Sequence, residues 1–256
     1  KSTQIAALSD TQIEAMGTAQ WGALTPTQIA SLSLTAVNAL TSTLITALTT
    51  TQIRGLTKTA LSALTADQMG ALTSTQLMSL VSTQISGLTD EDMGELSATA
   101  LASLTAAEIS YLSATALKGL SEDQISSLSV TQIKGLTQAQ VGFLELTQLG
   151  ALTTIQVAAL SATAINGLST SSLAALADTQ LAALTATQIS ALRASGIGAL
   201  TEEQISQLTT EQISTLTTTQ IKALAPTAIA ALTNTQIASL STSQISALTS
   251  SSLSAM

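Results

Sequence analysis

The densest group of side chains able to do chemistry is acidic: Asp90, Glu91 and Asp92 in succession, with Glu95 close behind. Hard cations take carboxylate oxygens, and paired carboxylates can share general acid and base roles inside a shaped, shielded pocket. An eight-residue polar repeat offers no such pocket, so this run reads as a solvated helix start in which Asp92 replaces a more usual Gln. Glu122-Asp123 and Glu202-Glu203 read the same way. The chain has no histidine and no cysteine, which removes disulfides and imidazole or thiolate metal ligands. Ser195-Gly196-Ile197-Gly198 comes nearest to a phosphate-binding glycine loop, but it lacks the lysine and the preceding strand. Trp21 falls at a core position, and Tyr111 and Phe143 fall where the pattern leaves surface. No residue is therefore assigned a catalytic, cofactor-binding or metal-binding role, and an enzyme is the least expected class.

What positions these residues is a unit of eight. Residues 217–224 read TTTQIKAL, and the pattern recurs in register over all 256 residues, giving 32 octads with no insertion or linker. Numbering positions from Thr217 and octads from Lys1, position eight is Leu except at Met16 and Met256, and position five is always apolar. Position one is mostly Ser or Thr, position four mostly Gln, and position seven mostly Ala, Ser or Gly.

One continuous helix cannot use this pattern. At about 100° per residue the apolar stripe would drift about 80° with each octad and face nothing steadily. A simple strand would put positions five and eight on opposite faces. A short helix inside each octad fits. Ser/Thr at position one and Gln at position four form a capping box, and positions five and eight then share one face. Pro26 and Pro226 both stand at position two, the first helical residue, where a missing amide hydrogen does no harm. Of 15 acids, 12 lie at positions two to four, while Arg54, Lys118, Lys134 and Lys222 lie at position six. That sorting suits the dipole of one helix per octad. Burying one Ile and one Leu does not offset the entropy of ordering eight residues, so the octads must stack. The sequence predicts an all-α solenoid of very short capped helices.

The departures from consensus bear on the coil. Position one loses Ser/Thr at Lys1, Gly17, Val81, Glu145, Ala177, Arg193 and Ala225, all in odd octads. Glycine at position seven (Gly55, Gly87, Gly119, Gly135, Gly167) is also confined to odd octads, whereas Glu95, Tyr111, Phe143 and Gln207 stand in even ones. Alternating environments predict a coil of two octads, 16 residues, with a four-octad coil allowed and a three-octad coil disfavoured. The position-seven glycines are expected to mark close backbone approach.

Composition narrows the class further. The chain is 45% hydrophobic but only 1% aromatic and 9% charged, with a net charge of −8 and no basic cluster. A nucleic-acid surface needs Lys/Arg patches, so none is expected. Mean hydropathy is +0.45, yet Ser, Thr or Gln interrupts every apolar run, so no membrane span is expected either. The unbroken register reads as one array over 1–256, and octads at both ends look like those in the middle. From this the expectation is that the chain continues beyond its ends or that the ends pack on copies of themselves.

Strings such as TQIAAL, TTTQIKAL and TATQISAL resemble octapeptide repeats in very large, low-complexity bacterial surface or secreted proteins. The resemblance runs through all 32 octads and implies an extracellular structural role; no small-molecule substrate is expected. The functional expectation is a self-associating filament, fibre or stalk element, at the cell surface or outside it. A spacer segment of a giant adhesin is the nearest alternative. Regular T-x-T pairs such as Thr217 and Thr219 also allow a different class, an ice- or carbohydrate-binding face on a β-solenoid.

Overall fold

The computed structural model describes residues 1–255. Every octad among them holds one short helix, and no described residue lies in a strand. The β-solenoid alternative is thereby overturned, and the Thr ladder it needed does not form. Most helices run from position two to position five, six or seven, as in Pro26–Ile29, Asp90–Gly94 and Thr218–Ala223. Octad 15 departs, with a 3-10 turn over Ala116–Gly119.

The helix starts follow the chemistry of the octad. The Gln220 amide donates to the Thr217 hydroxyl at 3.2 Å, while the Thr217 amide donates to Gln220 Oε1 at 2.8 Å. Two of the four amides that a helix start leaves unpaired are thus satisfied. Where position one is not Ser or Thr, at Lys1, Gly17, Val81, Glu145, Ala177, Arg193 and Ala225, the hydroxyl bond is missing. The Gln bond persists without it: the Gly17, Val81 and Ala177 amides still donate to Gln20, Gln84 and Gln180 at 2.7, 3.0 and 3.1 Å. Pro26 and Pro226 each open a helix. Between helices the chain turns through two extended residues, such as Leu224 (φ −64°, ψ 135°) and Ala225 (φ −63°, ψ 149°).

Packing divides the chain into two compact units, Lys1–Gly135 and Leu136–Met256. Within each unit, helices three octads apart lie against each other. Ser74–Leu77 packs on Ala98–Ser103 and Asp90–Gly94 on Ala116–Gly119 in the first unit; Gln138–Phe143 packs on Ala162–Ile165 and Thr218–Ala223 on Thr242–Ala247 in the second. Each unit is therefore an all-α solenoid whose coil takes three octads, 24 residues, and the expected 16-residue coil is wrong.

The physical reason lies at position four. On a helix it falls about 40° from position eight and about 100° from position five, so three positions per octad face inward rather than two. Gln76 is as buried (3% exposed) as the Leu and Ile around it. A two-layer coil would press these amides against a flat apolar layer, where an unpaired polar group is costly. A three-sided coil gives them corners. The parity sorting keeps a meaning, but a different one. Three is odd, so octads that lie over one another alternate in parity up each side of the solenoid.

The position-seven glycines mark close approach, as expected. A Cβ on Gly55 would lie 2.6 Å from the Pro26 carbonyl oxygen. On Gly119, Gly135 and Gly167 it would collide with the backbone of Asp90, Ala106 and Gln138. Each of these partners is position two of the octad three back. No described residue has positive φ, so these glycines supply space rather than a left-handed turn.

Positions five and eight form the core. Ile53, Leu61, Ile85 and Ile109 are fully buried in the first unit, and Ile189, Ile205, Ile213 and Ile229 in the second.

Candidate functional site at the coil corners

The feature that recurs most regularly is the corner where one octad ends and the next begins. Gln76 Oε1 accepts from the Thr73 amide at 2.8 Å, and its Nε2 donates to the carbonyls of Ile45 (2.7 Å) and Leu48 (2.8 Å). Gln220 repeats this on Thr217, Ile189 (2.9 Å) and Leu192 (2.8 Å). The carbonyls lie 31 and 28 residues earlier, at positions five and eight of the octad four back. A 24-residue coil explains the reach. Octad n lies over octad n−3, so the start of octad n lies over the end of octad n−4.

Helix ends leave carbonyls unpaired and helix starts leave amides unpaired. One buried glutamine serves both, across two coils. The sequence shows the capping half of this bracket but not the inter-coil half. One signal for the second half was present. A capping box accepts Glu or Gln, yet position four is Gln in 20 octads and Glu in one. An amide accepts at one atom and donates at the other, whereas an ionised carboxylate only accepts.

The acidic run sits on such a corner. The Thr89 amide donates to Asp92 Oδ2 at 2.8 Å, and the Asp92 amide donates to the Thr89 hydroxyl at 3.1 Å. Asp92 is 5% exposed, whereas Asp90, Glu91 and Glu95 face solvent. Burial pushes the Asp92 carboxyl above the usual carboxylate range; the bonds from Thr89 oppose that, and the Glu91 and Asp90 charges add to it. A recess of about 250 Å³ opens at this corner, lined by Ser62, Leu64, Thr65, Thr89, Asp92 and Glu95 among others. Among the described residues no three Asp, Glu, His or Cys side chains come together as a metal-binding set. Glu122 and Asp123 stand exposed in the first turn of Glu122–Ser127, and Glu202 and Glu203 in that of Glu202–Gln207.

The other residues singled out by the sequence fall within the repeat. Ser195 to Ile197 lie in the short helix Ala194–Ile197, followed by Gly198, and Gly196 occupies a buried position four, where a Cβ would strike Leu173. Trp21 is in the core, 1% exposed, with its indole nitrogen unpaired. Tyr111 and Phe143 are half-exposed, as their even octads imply. Leu34, Met78, Val130, Leu146 and Ile155 are further large apolar side chains on the surface, and none was singled out from the pattern. No helix among the described residues is long and apolar enough to cross a membrane.

A family model described as the ALTTAQ repeat matches residues 45–74. Within that stretch, Ala47 to Gln52 reads ALTTTQ, which is one corner written out: positions seven and eight of one octad, then one to four of the next. The match supports a repeat-based reading of the chain. No curated protein matches it.

Proposed function

We propose that this chain is a structural protein element whose work is done by repetition: part of an extracellular filament, fibre or stalk, bacterial in type, that associates with copies of itself. The observation that carries this reading is the recurrence of one corner, with the same two-ended glutamine bonds, through both units. Such a corner adds coil to coil without limit. We assign no catalytic, cofactor, metal or small-molecule role to any residue.

Self-association draws support from the surface. Charge is sparse, at 9% of residues, and the outward positions carry mainly Ala, Ser and Thr. Among them stand Ile155, 69% exposed, Leu146, 52% exposed, and Phe143, 50% exposed. Exposed apolar groups on a charge-poor surface favour contact between chains.

Light scattering and electron microscopy of the 256-residue chain test the proposal. Concentration-dependent filaments or lateral bundles are the expected result. A protein that stays monomeric at high concentration would sink the self-association and leave a spacer role.

A further inference from the structure

Every glutamine bracket described above ties one coil to the coil before it. The ties are not evenly distributed. Gln68, Gln76 and Gln84 each reach back 31 and 28 residues, and Gln124 and Gln132 do so again. Between Gln84 and Gln124, four successive octads carry Asp92, Ala100, Glu108 and Ala116 at position four. Four octads are more than one full coil. Over residues 89–120, no side-chain amide reaches the coil beneath.

By the spacing seen at the glutamine corners, the carbonyls left without a glutamine donor are those of Leu61 and Leu64, Met69 and Leu72, Leu77 and Leu80, and Ile85 and Leu88; of these, Leu61, Met69, Leu77 and Ile85 keep only the backbone amide three residues on. Alanine offers them nothing. Asp92 and Glu108 are different. Both keep the capping half of the bracket: the Thr89 amide donates to Asp92, and the Thr105 amide donates to Glu108 Oε2 at 2.7 Å. Both are more than nine-tenths buried. A carboxylate can only accept, so neither supplies the donor that a glutamine Nε2 gives to the coil beneath.

We infer that residues 89–120 form a loosely tied seam in the first unit, which acid strengthens at the corner of the buried Asp92, where Asp90 and Glu91 crowd a carboxylate out of reach of solvent. Two further observations fit the seam. The one 3-10 turn among the described helices, Ala116–Gly119, lies within it. The recess lined by Leu64, Thr89 and Asp92 lies at its first corner. Charged surroundings are asymmetric. Asp92 has Asp90, Glu91 and Glu95 on its own octad, Asp67 on the helix packed below and Lys118 on the turn packed above. Glu108 shares its helix with Tyr111, has Lys134 on the helix packed above, and has no charged residue on Ser82–Ile85 below.

Native-state hydrogen exchange on the 256-residue chain, corrected for intrinsic rates, tests this at about pH 4.5 and about pH 7.5, where carboxyl protonation differs. At the higher pH, amides in 89–120 should exchange faster than those in the bracketed stretch 65–88, and the gap should narrow in acid. Glu108→Gln restores the consensus amide. It should slow exchange across 105–112 by about tenfold at the higher pH, the scale of one or two buried hydrogen bonds. The variant Asp92→Ala should fold, because alanine already stands at this position at Ala36, Ala60 and Ala164; it should lose the acid response. Equal protection of 89–120 and 65–88 at the higher pH would overturn the seam. An acid response that survives Asp92→Ala would overturn the role of that carboxyl.

Discussion

Residues 65–88 and 89–120 are built from the same octad and share one solenoid, yet they differ at one position in eight. In the first stretch Gln68, Gln76 and Gln84 are buried and bonded to the coil beneath. In the second the same position holds Asp92, Ala100, Glu108 and Ala116. The apolar core does not change across the boundary. Ile85 and Met93 are both fully buried, and Leu88 and Leu96 are 3% and 4% exposed. Two jobs that look like one in the consensus are therefore separable. Positions five and eight make the helices stack; position four sets how firmly each corner is tied to the corner below.

The largest expected effects test whether the core really is the same in both stretches. Ile85→Ala and Leu101→Ala each remove a fully buried aliphatic side chain, and each should cost about 2–5 kcal/mol. Urea denaturation of the two variants measures this directly. Similar losses support a difference confined to the corners. A much smaller loss at Leu101 would mean that the core itself is relaxed in the second stretch.

Next in size is the bracket. Gln76→Ala removes the acceptor for the Thr73 amide and the donor to the Ile45 and Leu48 carbonyls. Leaving buried groups unpaired should cost about 2–3 kcal/mol in total. The reverse change, Ala100→Gln, introduces a bracket where Met69 and Leu72 await one, and should gain about 0.5–1.5 kcal/mol. If Gln76→Ala proves as mild as a surface substitution, the inter-coil bonds contribute little and the comparison between the two stretches collapses.

How much of this was legible in the sequence depends on where the interaction partner lies. Everything inside one octad was readable: the cap at Thr217 with Gln220, the helix opened by Pro26, the burial of Ile53 and Leu56. Each of those is decided by neighbours three or four residues away. The coil was not readable, because it is decided by partners 24 to 31 residues away, and a repeat that never varies in length gives no register mark for them. Parity was a real signal read onto the wrong axis. Gly119 and Gly167 do mark close approach, but between octads that are three apart, so odd and even alternate up a side rather than across a coil. Leu146 and Ile155 break the octad pattern openly, as exposed apolar side chains at positions two and three where polar or small residues prevail.

The pH response separates the two stretches without a change in the core. Burial raises the Asp92 carboxyl above its unfolded value of 3.8, and the Glu91 and Asp90 charges raise it further against the opposing bonds from Thr89. An acid whose folded pKa is raised stabilises the fold when protonated. Its contribution is complete below 3.8 and is lost as pH rises through the raised folded value. Thermal melts of the parent and of Asp92→Asn at several pH values isolate the effect, because every other acid is common to both. The parent should gain relative to the variant as pH falls through that window. No gain, or a gain of the opposite sign, would show that the Thr89 bonds outweigh burial.

The smallest expected effect concerns the hydroxyl half of the corner. Val81 opens octad 11 inside the well-tied stretch, in the extended conformation of a cap (φ −88°, ψ 159°), but it makes no side-chain bond to the helix start. Gln84 still takes the Val81 amide at 3.0 Å and still reaches Ile53 and Leu56. Val81→Thr keeps the shape and adds an acceptor where Thr73 has one for the Gln76 amide, at 3.3 Å. Val81 is 41% exposed, so the new hydroxyl costs little desolvation, and a gain of about 0.5–1 kcal/mol is expected. It should appear as a higher urea midpoint with an unchanged slope. The mirror change, Thr89→Val, removes the hydroxyl in the seam, where the bond from the Asp92 amide is 3.1 Å and no amide bracket ties the same corner downward. If corners act as units, Thr89→Val should lose more than Val81→Thr gains. Equal and opposite shifts would instead show that the two halves of a corner are independent, with the hydroxyl acting on its own helix alone.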